Sequence, residues 1–302
     1  MEGDGIRIVR SDGRELVATA GITTNGWTVS WQGLEDFLTL PITVRTSANV
    51  LTDGSSFLSE RVEEADRTAS IVYVGPRDPR EVRDEALSFF NPKHTLAVHV
   101  THMGVTRWCE GRLTDRQCVI RPERYPCEVT FTILCMDPFL RSEDHNESSL
   151  TDAAPMFGFP YVSHVRQQLP NGERYPVGFL ASKMLYDGLN TIYNSGDVET
   201  YYRIVCSFDG PVTNPKFTKD DRFVQVLRKF VDGDELEIDF ENAPPRVLVN
   251  GTNAIQLCSR DSNFTGMQMQ VGANVFQYGG STTAERAYMH VQVLFYKRYL
   301  GV

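Results

Sequence analysis

Asx-Gly dipeptides recur along the whole 302-residue chain, and they limit the possible folds more than any other feature. An Asp or Asn followed by Gly favours turns with positive φ angles, which join neighbouring antiparallel strands. Several of these dipeptides adjoin runs of β-branched and aromatic residues, so the sequence predicts a mainly β fold. The dipeptides are Asp12-Gly13, Asn25-Gly26, Asp53-Gly54, Asn171-Gly172, Asp187-Gly188, Asp209-Gly210, Asp232-Gly233 and Asn250-Gly251.

Alternation of apolar and polar residues locates individual strands. Between Cys127 and Cys135 every second side chain is apolar or a cysteine, so these side chains share one face of a strand. The same period of two predicts further strands over Thr95–Met103, Leu236–Phe240 and Tyr288–Tyr296. Arg246–Asn250, followed by Gly251, is predicted to be a strand that enters a hairpin.

One segment carries the signals of a helix instead. Asp78 can cap it, Pro79 suits the first helical position, and Glu81 completes a capping box. Apolar residues then recur at helical spacing as far as Phe90, and Asn91-Pro92 ends the pattern. We therefore predict one helix over Asp78–Phe90, which covers a face of a sheet.

The length suggests about two domains. The polar stretch Ser142–Ser149 and the Pro and Gly residues that follow interrupt the strand pattern. We predict a first domain over residues 1–145, a connector or insertion over residues 146–188, and a second domain over residues 189–302.

Residues that carry out chemistry do not form a recognisable motif. His94, His99 and His102 lie close in sequence, but His99 and His102 point to opposite faces of a strand, which disfavours a metal site. No nucleophile elbow, phosphate-binding loop or zinc-protease motif occurs. The sequence predicts no catalytic, cofactor-binding or metal-binding residues, no cofactor and no enzyme activity.

Charge and hydropathy restrict the partners and the compartment. The net charge of -9 argues against nucleic-acid contact, because nucleic-acid binders neutralise phosphates with Lys and Arg. No apolar run is long enough to span a membrane, and the N-terminus lacks the apolar segment of a signal peptide. We therefore expect synthesis in a cytoplasm. The six cysteines are expected to be free thiols.

Several ordered motifs resemble the siphophage distal tail protein family. In the first half, Leu38-Thr39-Leu40-Pro41 precedes the predicted helix, and Phe131–Phe139 resembles the end of that family's N-terminal domain. The second half is more similar still, and residues 150–188 match least. The motifs of the second half are Asn194–Asp197, Gly210–Pro215, Asp232–Asp239, Arg246–Gly251, Val271–Asn274 and the closing Phe295–Val302.

The resemblance implies a fold and a role. It implies a tail-tube-like N-terminal β domain with one helix, which forms a hexameric ring, and a C-terminal galectin-like β-sandwich outside the ring. The ring would be a structural hub in the tail tip of the virion, assembled in the host cytoplasm. It would join the tail tube protein to the tail-tip or receptor-binding proteins that recognise the host.

Two questions remain open from the sequence. A carbohydrate-binding module of a tail or cell-surface protein is an alternative function, with Tyr201, Tyr202 and Tyr278 as candidate aromatic contacts. The segment around Leu38, Leu40, Ile42 and Val44 has few charges, and we predict that it contacts a neighbouring subunit. The alternative for this segment is that it packs entirely inside its own domain.

Overall fold

The computed structural model is mainly β, which confirms the predicted fold class. It describes residues 4–21, 25–37, 39–48, 53, 55–121, 125–150, 152–155, 182–185 and 189–302. The elements of the first half are β1 (Gly5–Arg10), β2 (Glu15–Thr19), β3 (Trp27–Val29), a 3₁₀ helix (Trp31–Phe37), β4 (Ile42–Ala48), β5 (Ser55–Val62), β6 (Ala65–Tyr73), α1 (Pro79–Phe89), β7 (Thr95–His102), β8 (Val105–Arg121), β9 (Tyr125–Cys135) and β10 (Leu140–Ser142).

The second half consists of shorter strands. They are β11 (Asn146–Ser149), β12 (Asp152–Pro155), β13 (Ser182–Leu185), β14 (Leu189–Asn194), β15 (Tyr202–Phe208), β16 (Val212–Thr213), β17 (Lys216–Lys219), β18 (Arg222–Gln225), β19 (Lys229–Phe230), β20 (Glu235–Asp239), β21 (Arg246–Val249), β22 (Thr252–Asn253), β23 (Gly272–Gly279), β24 (Met289–Phe295) and β25 (Arg298–Tyr299). Two 3₁₀ helices, Ile255–Leu257 and Thr283–Tyr288, lie between them.

The chain divides into two compact units that are not continuous in sequence. Unit 1 comprises Met1–His145, Gly196–Val198 and Tyr296–Val302, and unit 2 comprises Asn146–Ser195 and Glu199–Phe295. The last strand, β25, belongs to unit 1, where Tyr299 pairs with Leu140 of β10.

Unit 1 is built on a sheet that closes on itself, and we call this closed sheet the barrel. Its strands lie in the order β8, β7, β1, β2, β3, β6 and β9, and β9 pairs back onto β8. All of these neighbours are antiparallel except β2 and β3, which pair in parallel through Thr19 and Thr28. Alternate side chains point inward and form one apolar core, which includes Ile6, Ile8, Ala69, Ile71, Val98, Val100, Val129, Phe131 and Ile133.

Helix α1 packs its apolar face into this core. The Asp78 side chain accepts a hydrogen bond of 2.9 Å from the backbone N–H of Arg80, which caps the helix as the sequence predicts. Val82, Ala86 and Phe89 are buried, and Phe90 stacks on Phe131 with ring centroids 4.6 Å apart. The predicted helix is therefore confirmed, with bounds that differ by one residue at each end.

Unit 2 contains two sheets that share one core. The first has the strand order β11-β24-β15-β20-β21-β22, and the second has the order β14-β23-β17-β18. Ile204 and Val293 from the first sheet and Phe217 and Phe276 from the second belong to the same buried cluster. Unit 2 is therefore a β-sandwich; its further likeness to galectins stays a prediction.

The strands predicted from alternation are present as β7, β9, β20 and β24. The predicted hairpin is also confirmed, because β21 and β22 pair across a turn at Asn250 and Gly251. The φ angles of these two residues are 49° and 75°, which is the left-handed region that an Asn-Gly turn requires.

Most of the predicted connector, residues 146–188, lies outside the described residues. Of the parts that are described, β11 pairs with β24 in the sandwich, and β12 pairs with β13. The Asn171-Gly172 and Asp187-Gly188 turn predictions and Gly54 also lie outside the described residues. The six cysteines are free thiols.

Candidate functional site

A hairpin of β4 and β5 exposes several apolar side chains on one face. The two strands form a two-stranded sheet of their own, in which Ile42 pairs with Val62, Val44 with Glu60 and Thr46 with Phe57. Residues two apart on a strand share a face, and residues that pair directly in an antiparallel ladder lie on the same side. Ile42 and Val44 therefore share one side with their partners Val62 and Glu60. The register shift between Arg45 and Thr46 brings Phe57 to the same side. The exposed fractions are 60% for Ile42, 52% for Val44 and 61% for Phe57. We call this side the hairpin face.

The predicted contact residues divide into three groups. Ile42 and Val44 lie on the hairpin face and are exposed. Leu40 precedes the hairpin and is half-buried, and Leu38 lies outside the described residues. Sequence reasoning did not single out Val62 of β5, although its pairing with Ile42 places it on the same face. A two-residue alternation in each strand is the signal that could have found it.

The base of the hairpin is fixed to the core of unit 1. The 3₁₀ helix Trp31–Phe37 buries Leu34 and Phe37 in that core, and the chain then leads to β4. Arg67 of β6 is fully buried, and its guanidinium donates to the backbone carbonyls of Asp36 at 2.9 Å and of Pro138 at 2.7 Å. The backbone N–H of Glu63 donates to the carbonyl of Pro41, which closes the hairpin where it leaves the barrel. The hairpin is therefore attached firmly to the core of unit 1 at its base, while the hairpin face is exposed.

A trough of about 430 Å³ lies on the outer face of the barrel strands β1, β2 and β7. Arg7 contacts His99 Nδ1 at 3.2 Å and donates to the Glu143 carboxylate at 3.0 Å. Burial, and secondly the positive charge of Arg7, lower the pKa of His99 to about 4. His99 also stacks on Trp108, with ring centroids 5.7 Å apart. The trough is thus lined by an arginine, a carboxylate and a neutral imidazole at pH 7.

The pKa of His99 predicts a pH dependence of stability. The unfolded chain takes up a proton on this residue near pH 6.5, whereas the folded protein does so only near pH 4. Stability should therefore fall as the pH is lowered from 6.5 to 4, by on the order of 1 kcal/mol because the ring is only half-buried. We expect His99→Gln to flatten this part of the profile in urea unfolding between pH 7 and pH 4. Thr101→Val, in the same trough, is the control that should keep the wild-type slope, and equal slopes in His99→Gln and wild type would contradict the prediction.

A second concavity, of about 290 Å³, lies in unit 2 between the segments 240–245 and 264–268. Tyr201 lines it and is 40% exposed, whereas Tyr202 and Tyr278 are buried in the sandwich core. Of the three aromatic residues considered for a carbohydrate contact, Tyr201 alone has an accessible ring among those described. Tyr201 and Tyr202 are adjacent, and the residue type alone does not distinguish the outward-facing ring from the buried one.

The candidate chemical residues stay apart from one another. His94 contacts the Ser11 hydroxyl at 3.0 Å, His102 lies 3.6 Å from the Asp4 carboxylate, and His99 lies in the trough. Within the described ranges, no cluster of three or more His, Cys, Asp or Glu side chains could hold a metal ion. Within the same ranges, no helix is long and apolar enough to cross a bilayer.

Comparisons with known proteins agree with this architecture. Residues 195–299 match the family model of the siphovirus-type tail component, C-terminal domain. The fold of the chain is similar to that of the Dit protein of phage SPP1, a hub of the adsorption apparatus of phages that infect Gram-positive bacteria. That match has a TM-score of 0.63 and 14% sequence identity, and it covers 98% of this chain and 99% of the SPP1 chain.

A chain of the phage P2 baseplate, in its activated conformation, is also similar. Its TM-score is 0.58 with 7% identity, and the match covers 99% of each chain. A comparison with curated protein sequences finds no significant match.

These matches define the class of protein. Over almost its full length, the chain has the fold of a phage tail-tip hub protein. Residues 195–299 match the model of the siphovirus-type tail component, C-terminal domain, which confirms the predicted resemblance to the siphophage distal tail proteins. A tail component of this kind is a structural part of the virion.

Proposed function

We propose that the protein is a structural, non-enzymatic subunit of a ring-shaped hub at the tail tip. The observation that carries this proposal is the full-length similarity to the SPP1 and P2 hub and baseplate chains. Residues 1–145 form the ring, together with the segments 196–198 and 296–302 that belong to the same unit. Residues 146–188 are a connector or insertion that begins with a strand of the sandwich. The remainder of residues 189–302 provides a galectin-like sandwich outside the ring. The ring joins the tail tube protein to tail-tip or receptor-binding proteins, and it assembles in the host cytoplasm.

The hairpin face supports assembly with further copies of the same chain. A two-stranded hairpin alone is at best marginally stable in water, so an additional contact would stabilise it. Burial of an exposed aliphatic or aromatic side chain contributes about 1.5–3 kcal/mol, and Ile42, Val44 and Phe57 all have apolar surface left to bury. A neighbouring subunit is the occupant we infer for this face.

A head-to-tail contact would produce a closed ring. If the hairpin face of one copy contacts a different surface of the next copy, the interface is heterologous. Such an interface forms a closed ring when the rotation from one copy to the next is a whole fraction of a full turn. The resemblance to the distal tail family supplies the number six. The support from the structure is the hairpin with its exposed face and the hydrogen bonds of Arg67 at its base.

The carbohydrate-binding alternative is less favoured. The similar solved structures are hub and baseplate chains. Tyr201 remains a possible surface contact in unit 2, yet a single accessible tyrosine does not outweigh similarity over almost the whole chain.

Size-exclusion chromatography with light scattering tests the proposed ring. We expect the full chain, at increasing concentration, to reach a defined mass several times the 34.1 kDa of one chain. A mass of six chains supports the hexamer, and another closed number would correct it. A 34.1 kDa species at every concentration, together with no cross-linked multimer in purified tails, would contradict the hub.

A further inference from the structure

Two cysteines face each other across the hairpin of β8 and β9. The sulfur atoms of Cys118 and Cys127 are 3.4 Å apart. Cys118 pairs directly with Val129, so Cys127 is its diagonal neighbour, and the register shifts between Val119 and Arg121. A disulfide bond is about 2.05 Å long, so the two sulfur atoms need to approach by only about 1.4 Å.

We propose that Cys118 and Cys127 are the site of an intrachain disulfide that forms when the protein leaves a reducing compartment. The oxidant is a low-molecular-weight disulfide. The Cys118 thiolate attacks one sulfur of the oxidant, which releases one small thiol and leaves a mixed disulfide. The Cys127 thiolate then attacks the Cys118 sulfur and releases the second small thiol, so the protein loses two electrons and two protons.

Accessibility distinguishes this pair from a second pair in the same strands. Cys118 is half-buried, so a small oxidant can reach its sulfur, whereas Cys127 is fully buried. Cys109 and Cys135 also contact each other, but both are buried in the barrel core. Because neither sulfur of the Cys109–Cys135 pair is accessible, neither can attack the small disulfide, and the reaction does not begin there. Selective oxidation of one pair out of two is therefore the expected pattern.

The order of the two steps follows from the surroundings of each thiol. Burial, followed by the hydrogen bond with Cys118, raises the pKa of Cys127 to about 12. Because the thiolate is the attacking species, Cys127 is a poor first nucleophile, and Cys118 begins the reaction. The second step should be the slower one and should accelerate as the pH rises.

The cross-link would lie in the pairing that closes the sheet of unit 1. β9 pairs with β6 on one side and with β8 on the other, so the bond would tie β8 to β9 along the closed barrel. The biological setting rests on the proposed function, because a tail protein is made in a reducing cytoplasm and then persists outside the cell. The disulfide chemistry does not depend on the hub. The number of thiols tests the disulfide and the mass of the multimer tests the ring, so one proposal can fail while the other holds.

The test is oxidation of the full chain carrying Cys258→Ser, since Cys258 is a half-buried cysteine outside both pairs. One sample is oxidised with oxidised glutathione, and a reference sample is kept reduced with dithiothreitol. The remaining thiols of each sample are then alkylated under denaturing conditions. We expect oxidation to remove two thiols and two hydrogen masses. Chymotryptic cleavage after Phe131 separates Cys127 from Cys135, so the cross-linked peptide identifies the partner of Cys118.

Two kinds of control make the result decisive. Cys118→Ser and Cys127→Ser should each abolish the cross-link, and Cys109 and Cys135 should be recovered as free thiols in the same digest without any further variant. Retention of all thiols, a glutathione adduct on Cys118 that never resolves, or a cross-link between other cysteines would each overturn the proposal. Circular dichroism of each variant confirms that it remains folded.

Discussion

The double variant Ile42→Asp, Val44→Asp is expected to convert the multimer into monomers while both units stay folded. Both side chains lie on the hairpin face and are more than half exposed, so charge there does not enter a core. In an interface, each would forgo about 1.5–3 kcal/mol of burial, and each carboxylate would also be desolvated. Each 1.4 kcal/mol weakens association about tenfold, so the double change should weaken each contact at least a hundredfold. Light scattering measures the mass, and circular dichroism measures the fold.

Matched substitutions in unit 2 test whether dissociation depends on the location of the new charges at the hairpin face. Val231 and Leu227 in unit 2 are exposed apolar residues of similar accessibility, and Val231→Asp, Leu227→Asp should leave the mass unchanged. Leu40 is the less informative target because it is half-buried, and its loss would mix folding with assembly. If the Ile42/Val44 variant keeps the wild-type mass, the hairpin face is not the interface, although a ring formed through another surface would remain.

Local pattern was enough to predict five of the strands and the helix, and the reason is physical. In β9, side chains from Cys127 to Cys135 alternate between core and surface, and a period of two records that alternation directly. In α1, Asp78 and Pro79 act on the backbone of the same turn. Each of these signals acts over a few consecutive residues, so it can be recognised from the sequence alone.

Features that depend on residues distant in sequence could not be predicted. The pairing of β25 with β10 joins Tyr299 to Leu140, and no local pattern encodes it. The approach of Cys118 to Cys127 depends on the register in which β8 pairs with β9, where Cys118 lies opposite Val129. The hairpin strands alternate much as buried strands do, and only the lack of a covering element in the described chain distinguishes Ile42 and Val44 from core residues.

Arg67 is the clearest case in which alternation alone misleads. It lies on the inward face of β6 between Ala65 and Ala69, where a period of two would favour an apolar residue. The exposed fraction of Arg67 is 0%, because its guanidinium satisfies two backbone carbonyls and packs over the Phe37 ring at 5.6 Å. Burial of this arginine is offset by the two hydrogen bonds of its terminal nitrogen atoms, while its Nε is buried without a partner among the described residues. The two bonds join the segment before the hairpin to the segment after β9.

Arg67→Ala is therefore expected to lower the free energy of unfolding of unit 1 by about 3–5 kcal/mol. The change removes two charge-assisted hydrogen bonds, leaves the carbonyls of Asp36 and Pro138 without these donors, and opens a cavity beside Phe37. Urea unfolding followed by the fluorescence of the tryptophans, which all lie in unit 1, measures the loss.

Two further variants separate the causes of that loss. Arg67→Met retains most of the volume and should recover the cavity part alone, so its stability should lie between those of Arg67→Ala and wild type. Arg77→Ala breaks the 2.7 Å ion pair with Glu85, but Arg77 is half-exposed, so the cost should be below about 1 kcal/mol. A loss in Arg67→Ala no larger than in Arg77→Ala would mean that the two carbonyl contacts contribute little. If the loss is large and the ring also dissociates, Arg67 links the stability of the barrel to the position of the hairpin that we infer to hold the subunits together.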